Sequence, residues 1–581
     1  MTAADWRAQL RLARFTLETL IGRGLGRVYR HPAYRWRFLG NTPEKLVVAP
    51  QDLRTGDPTM TADLAGGYMI LAGLRVEIGQ LSPFALTTAP QEWRDALYSF
   101  DWIRDLKAAG TPEAKAQATA LVDDWLTHHG KPGEEGWDPY LVARRLIAWL
   151  CHSPFILDNA DHSFYRRFLG SITFQARYLR YAAADLPDGG PRLIAATALT
   201  YAGLCLSGFS RFLALSTRWL DDELKRQILP DGGLISRNPG AILDMLLDLL
   251  PLRQTFTARA ISPPESLITG IDRMMPMLRF FRHSDGSVAN FNGAEPFFPE
   301  RLATVFAYDE ARGTPVTNAP HSGYQRLADN DLVVIMDTGT APPIAVSIDG
   351  HASCLAFEFS ARANRIIVNC GKPLVNVEDW RDAARQTAAH STACLNDTSS
   401  AQFATEEWAT RRVGRPIVDG PKTVTVKRQS DEDTLSVQAS HDGYMRAFGV
   451  EHRRRLTLDA ARDVLIGEDQ FVPRSGTRSD APFAIRFHLH PSIRVVELDD
   501  RSTALFTSDG EVWRFISNTM PHGVEESIFL ADPRGARRTR QLVVSGQLRA
   551  NPVVPWELKR VTDQSELETL VAAIEGISST A

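Results

Sequence analysis

Between Trp93 and Leu250 apolar side chains return every three or four residues, the spacing that places them on one face of an α-helix. The pattern predicts helices over Trp93 to Ala109, Ala114 to His129, Pro139 to Cys151 and Ser163 to Ala184. It continues over Arg192 to Ser207, Arg211 to Ile228 and Ala241 to Leu250. The last run, AILDMLLDLLPL, should end at Pro251, because proline removes a donor from the helical ladder. Helices joined by short polar loops, with no strands between them, point to a helical array and not to an α/β domain.

Near residue 315 the period changes. Leu355, Phe357 and Phe359 alternate with Ala356, Glu358 and Ser360, as in a half-buried strand. Strand-like runs follow at Arg365 to Asn369, Thr423 to Lys427, Phe483 to His490, Val512 to Ile516 and Gln541 to Ser545. Turn signals such as Asp442-Gly443, Asp509-Gly510 and Pro533-Arg534-Gly535 separate them, so two stacked antiparallel sheets are expected. The chain therefore reads as multidomain α+β, with the boundary between Thr314-Pro315 and Ala319-Pro320. Its parts are an N-terminal arm and leading segment (1–92), a helical domain (93–314) and a β domain (315–581). At 581 residues one hydrophobic core would not suffice.

Composition changes this picture little. Hydrophobic residues make up 44% and charged residues 23%, ordinary for a globular protein, and the net charge of -4 argues against nucleic acid as a partner. Cys151, Cys205, Cys354, Cys370 and Cys394 are scattered and odd in number, which suits buried thiols. No apolar run is long enough to span a membrane, and no secretory signal is visible, so a cytoplasmic location is the default and a periplasmic or envelope-associated one the alternative. The first 40 residues are basic, with Arg7, Arg11, Arg14, Arg23, Arg27, Arg30, Arg35 and Arg37 against Asp5 and Glu18. Leu10, Phe15, Leu17 and Ile21 can form an apolar stripe there. A helix packed on the domain is the commoner outcome for such a segment, and a membrane-surface helix is the other.

Several motifs appear in a fixed order. They begin with Trp137-Asp138-Pro139-Tyr140 leading to Ala143-Arg144-Arg145-Leu146, then Leu229-Pro230-Asp231-Gly232-Gly233 with Ser236-Arg237-Asn238-Pro239. Ser322-Gly323-Tyr324 and Gly350-His351-Ala352-Ser353 with Phe357-Glu358 come next. Ile366-Ile367-Val368-Asn369-Cys370-Gly371 and Thr387-Ala388-Ala389-His390-Ser391-Thr392 complete the set. Together they resemble the heparinase II/III-like polysaccharide lyases over roughly residues 130 to 560. The resemblance implies an incomplete (α/α) toroid followed by an antiparallel β-sandwich, and β-elimination on a uronic-acid polysaccharide or oligosaccharide of the glycosaminoglycan type. That chemistry needs a group to neutralise the uronate carboxylate, a base for the proton beside it and an acid for the departing oxygen.

The resemblance also marks departures. Pro191-Arg192 stands where the family often has Asn-His, and Ala241 stands where its tyrosine is expected. Asp349 replaces the first histidine of a His-x-His strand, and Asn369 replaces a metal-ligand aspartate. Arg192, Tyr324, His351 and His390 are the catalytic candidates, and Arg237, Asn238 and His321 the substrate-binding ones. Arg192 could grip a carboxylate in bidentate fashion, or be a surface arginine at a helix start. Tyr324 could stand in for the missing toroid tyrosine, or be a packed aromatic. His351, Asn369 and His390, with Asp349, could hold zinc, act as a base with its orienting group, or form a buried polar cluster.

Arg486, His488 and His490 should lie on an exposed polar strand face. Trp93, Trp102, Trp137, Tyr140 and Trp149 should be core. Two further functions stay open: an acidic-glycan-binding protein of envelope or exopolysaccharide assembly, and a glycoside hydrolase using Asp231 and Asp285.

Overall fold

The structure is a computed structural model that describes residues 3–570, apart from 80, 134, 297, 309–314, 330, 375–377, 432, 475–478, 518 and 569. The helical half opens with α1 (Ala3–Arg30) and α2 (Met60–Ala65), then a hairpin of β1 (Tyr68–Leu71) and β2 (Leu74–Glu77). Its turn at Ala72-Gly73 has φ of 50° and 73°, the left-handed pair that a two-residue hairpin requires. There follow α3 (Gln91–Ser99), α4 (Ile103–Ala109), α5 (Pro112–His128), α6 (Pro139–Ile156) and α7 (His162–Ala182). Next are α8 (Gly190–Cys205), α9 (Ser210–Gln227), α10 (Pro239–Ala258), α11 (Glu265–Phe280) and α12 (Pro299–Phe306). Asp138, Asp161 and Asn238 cap α6, α7 and α10 by accepting from backbone N–H groups of the first turn.

Three helix boundaries differ from expectation, and one of them is the end of α6, which runs past Cys151 to Ile156 with Pro154 inside it. Trp93 to Ala109 is not one helix, because Phe100 adopts φ 60° and ends α3 before α4 begins. Pro251 does not stop α10, which runs on to Ala258 with Pro251 buried inside it. Close packing on that apolar helix outweighs the missing backbone donor. Trp93, Trp102, Trp137 and Trp149 are core as expected, whereas Tyr140 is 40% exposed. Among these helices runs a chain of ion pairs: Arg54 to Asp248, Asp248 to Arg144, Arg144 to Asp101, Asp101 to Arg104 and Arg104 to Asp52.

The β half begins with β3 (Asn318–Ala319), β4 (Tyr324–Asp329), β5 (Leu332–Asp337), β6 (Phe357–Ala361) and β7 (Asn364–Val368). A helix, α13 (Glu378–Ala384), leads to β8 (Ala393–Leu395), β9 (Gln402–Phe403), α14 (Glu407–Val413) and β10 (Ile417–Asp419). Then come β11 (Val424–Ser430), β12 (Thr434–His441), α15 (Met445–Phe448), β13 (Val450–Asp459), β14 (Val464–Pro473) and β15 (Pro482–Leu489). The last strands are β16 (Arg494–Glu497), β17 (Thr503–Phe506), β18 (Val512–Ile516), β19 (His522–Phe529), β20 (Arg537–Gln547) and β21 (Val553–Arg560).

Two large antiparallel sheets result, ordered β11-β12-β13-β14-β21-β18-β17-β16 and β19-β20-β15-β7-β6-β5-β4-β3, with β8 on β15, and β9 pairs with β10 apart from them. Aromatic rings from both sheets meet between them, as Phe357 on Trp556 at 5.6 Å and Phe359 on Trp513 at 5.3 Å. Of the expected domain boundary, Thr314 lies outside the described residues, and α12 ends at Phe306 before β3 starts at Asn318.

The strand expected to carry Asp349 and His351 starts later than the alternation suggested. Leu355 takes φ 61° and the segment 349–356 is irregular, so β6 begins only at Phe357. The polar face of β6 is not solvated either. His283, from the loop after α11, sits on it, with Nε2 3.0 Å from Glu358 and Nδ1 2.9 Å from Ser360 Oγ. Glu358 also accepts from Arg365 and from the backbone N–H groups of Asn290 and Asn369. A wholly buried carboxylate thus pins the helical half to the sheet, and Arg365 and His283 hold it low, at about 2, against the opposing effect of burial.

Candidate functional site

Freed from the sheet, the loop before β6 places His351 beside His390, which lies in the loop before β8. His351 Nδ1 is 2.9 Å from His390 Nε2, and His390 Nδ1 is 2.8 Å from the carbonyl of Gln386. A carbonyl only accepts, so His390 carries its proton on Nδ1 and its Nε2 accepts. His351 must then donate from Nδ1, which leaves the lone pair of His351 on Nε2. That nitrogen has no hydrogen-bond partner among the described residues. Burial, reinforced by His390, Arg385 and Lys372, holds His351 well below the ordinary imidazole range, and burial takes His390 down to about 4. Both rings are neutral at neutral pH.

The two loops are fixed from behind. Arg454 on β13 donates to the carbonyls of Leu355 and Ser391 at 2.9 and 2.7 Å, one from each histidine's segment. The same guanidinium binds Asp469 on β14 in bidentate fashion, at 2.8 and 3.0 Å. Asp469 further accepts from Trp556 Nε1 and from His452. Arg385 holds the other end of the His351 loop through the carbonyls of Ser347 and Gly350.

Tyr324 joins this centre, though its hydroxyl is already committed. It donates to the carbonyl of Arg237 at 2.6 Å and accepts from Asn292 Nδ2 at 2.7 Å, while Asn292 Oδ1 accepts from the His351 backbone N–H. Burial pushes the phenol well above its ordinary value. Gly293, at φ 79°, lets this loop close on Asp349, whose carbonyl would lie 2.7 Å from a Cβ.

A cleft of about 300 Å³, lined by Glu295, Pro296, Asp349, Lys372, Leu374 and Arg381, opens two residues before His351 at Asp349, and the charge of Lys372 on its wall acts on the His351 ring. Lys372 is within 3.2 Å of Glu295. Burial alone would lower its ammonium, but Asp349 and Glu295 outweigh it and hold the group raised, so it stays charged. Glu295 and Pro296 also line a smaller cavity with Gly240, Asp244 and Arg301 at the start of α10. Glu295 and Pro296 thus form a wall from the helical half between the cleft and that cavity.

The heparinase II/III-like C-terminal family model matches residues 311–557. FtsZ-localized protein C of Caulobacter vibrioides is 30% identical over 538 residues, which cover 89% of this chain and 91% of that protein. The chain belongs to the heparinase II/III-like family. The same fold is seen in a crystal structure of heparinase III, with TM-score 0.69, 13% identity, and 96% and 92% of the two chains covered. A mutant of the heparan sulfate lyase HepC from Pedobacter heparinus gives TM-score 0.61 at 15% identity, covering 94% and 89%.

Against the heparinase II/III-like pattern, the candidate residues divide. Tyr324, His351 and His390 come together as described, and Arg237 joins them as a buried pin. Arg237 forms an ion pair with Asp337 and donates to the carbonyls of Ser322, Gly323 and Thr340, so four of the five N–H donors of its buried fork are already used. Arg192, on α8, has Nε 3.2 Å from Glu223, and no hydrogen bond or ion pair joins it to this centre among the described residues. Asn238 is spent as the cap of α10, and His321 is exposed, its backbone N–H bound by Asp231. Asn369 Oδ1 accepts from Ser391 N–H and its Nδ2 donates to Glu358, and no hydrogen bond joins its amide to either histidine among the described residues.

The donor set does not suit zinc. The lone pair of His390 is taken by His351, and no cluster of three histidine, cysteine, aspartate or glutamate ligands forms among the described residues. Nor is the strand after residue 482 a solvated polar stripe. His488 is buried under the loop that carries His390, with Nε2 donating to the carbonyl of Ala388. The hydrolase pair is unsuited as well, since Asp231 is saturated by the N–H groups of Gly233, His321 and Ser322. Asp285 is held below its ordinary value despite burial, chiefly by Arg365 and His283.

Sequence reasoning passed over Lys372, Asn292, Gln386 and Arg454. Lys372 follows the quoted Cys370-Gly371 directly, so proximity to a motif was the one available signal. The others act through backbone groups, which leave no mark on residue pattern.

Proposed function

We propose that this chain is a lyase-type protein that handles uronic-acid-containing polysaccharide or oligosaccharide by β-elimination. The observation that carries the reading is the lone pair fixed on His351 Nε2 next to a cleft that holds a charged lysine. In this reading Lys372 neutralises the uronate carboxylate, which acidifies the proton on the adjacent carbon. His351 Nε2 takes that proton, the glycosidic C–O bond breaks with its electron pair left on the departing oxygen, and a carbon–carbon double bond remains. The imidazolium so formed returns the proton to the departing oxygen, so no separate phenol is needed. His390 stabilises the cation by accepting from Nδ1. A uronate held nearby would also raise the depressed basicity of His351, since an anion favours the charged ring.

The test is ultraviolet absorbance of unsaturated product from alginate-like, heparin-like and glucuronan-like polymers. Product from one of them, absent in His351→Ala, supports the reading, and no product from any polymer contradicts it. A second reading is a catalytically altered protein that binds acidic glycan during envelope assembly. It is favoured by the commitment of the Tyr324 hydroxyl to Arg237, and by a relative named for localisation and not for turnover. Micromolar binding without product would select it.

A further inference from the structure

Helix α1 has two apolar faces, and the body of the protein covers one of them. Ala8, Leu12 and Thr16 are buried, and Leu12 packs with half-buried Phe15 against Ala404, Ala409 and Val413 of the segment around α14. On the opposite side Trp6, Leu10, Leu17, Leu20, Ile21 and Val28 are exposed, Trp6, Leu17 and Ile21 by 57 to 59%. At 3.6 residues per turn these six positions fall within an arc of about 100° along a helix about 42 Å long. Phe15 therefore belongs to the packed face and not to the expected stripe.

Basic side chains border the exposed stripe. Arg7 and Arg14 are exposed on one side of it, while Arg11 and Arg23 donate to the carbonyls of Val418 and Arg412 on the body. Glu18, paired with Arg14, is the acidic residue among the described side chains of the helix. No helix among the described residues is long and apolar enough to cross a membrane.

We propose that α1 is an in-plane membrane helix whose outer stripe enters the interfacial layer of an anionic lipid bilayer while its inner face stays on the body. Large apolar side chains opposite a fixed anchor, edged by arginines, match the apolar depth and negative surface of such a bilayer. Two copies facing each other would instead bring their arginine borders together. The proposal is independent of any turnover at the cleft.

Flotation of the full chain with vesicles tests it, using phosphatidylglycerol–phosphatidylcholine mixtures against pure phosphatidylcholine. The chain should float with the anionic vesicles, at least tenfold less with the neutral ones, and less as salt rises. Leu17→Glu with Ile21→Glu should lose more than tenfold of the binding with an unchanged melting temperature, since both side chains are exposed. A chain that stays unbound to anionic vesicles at low salt overturns the proposal, as does a double variant that floats like the parent. A stripe-dependent doubling of mass in light scattering, without lipid binding, would also overturn it and assign the stripe to a second copy.

Discussion

His351 Nδ1 and His390 Nε2 stand 2.9 Å apart, and the carbonyl of Gln386 behind them decides where both protons sit. The pair therefore works as a unit although only His351 faces a free lone pair. On the proposed chemistry, His351→Ala should lower kcat by about 10²–10⁴-fold, the range for losing a general base. His390→Ala should cost on the order of 10²-fold or more in kcat with KM little changed, because it releases the tautomer of His351 without touching the sugar. Steady-state rates on the best polymer check this, and an unchanged kcat in His390→Ala would remove the relay from the account.

Stability should fall on acidification well before the carboxylates titrate. His390 and His488 are held at about 4 and about 3 by burial, below the unfolded value of about 6.5. The unfolded chain thus binds more protons in that window, so stability is fully present above about pH 6.5 and is lost as pH falls toward 4 and below. Each histidine contributes at most about 1.4 kcal/mol per pH unit there. Melting curves at pH 7.5 and 5 measure it, and equal melting temperatures would count against neutral buried imidazoles.

Arg454 should be worth more than any surface ion pair. It ties Asp469 to the carbonyls that carry the two histidine loops, wholly out of solvent. Arg454→Met should destabilise by about 3–5 kcal/mol, the range for leaving a buried partner unpaired. Arg454→Lys should recover only part, because an ammonium cannot reproduce the fork. Denaturant unfolding reads both, and a loss below about 0.5 kcal/mol in Arg454→Met, the usual spread for surface changes, would refute the pin.

Glu358 tests the seam between the halves. Glu358→Gln removes the charge that His283 and Arg365 share inside the protein, which should cost about 3 kcal/mol. It should also speed proteolytic nicking at residues 315–321, where the halves join. Unchanged cleavage there would mean that other contacts hold the seam.

The helices and most strands were legible because apolar period survives whatever the helix packs against. What failed was local. Phe100 and Leu355 take left-handed backbone conformations that favour glycine, and neither side chain announces it. The alternation through β6 marks a strand, yet nothing in it announces that the polar face receives His283 from the other half. At the site, His351 and His390 were nominated together by motif order. Their mutual hydrogen bond, the nearness of Arg192 to Glu223 and the commitment of Tyr324 depend on partners 30 to 90 positions away, and a single sequence does not reveal those partners.

The proposed chemistry turns on the position of one proton, which nitrogen NMR of histidine-labelled protein reads. His351 and His390 should both be neutral with Nδ1 protonated and Nε2 bare at pH 7, assigned by loss of each signal in His351→Ala and His390→Ala. In His390→Ala, His351 should shift toward a mixed tautomer. A His351 protonated on Nε2 in the intact protein would contradict the account, because its lone pair would then point at His390 and not at a substrate.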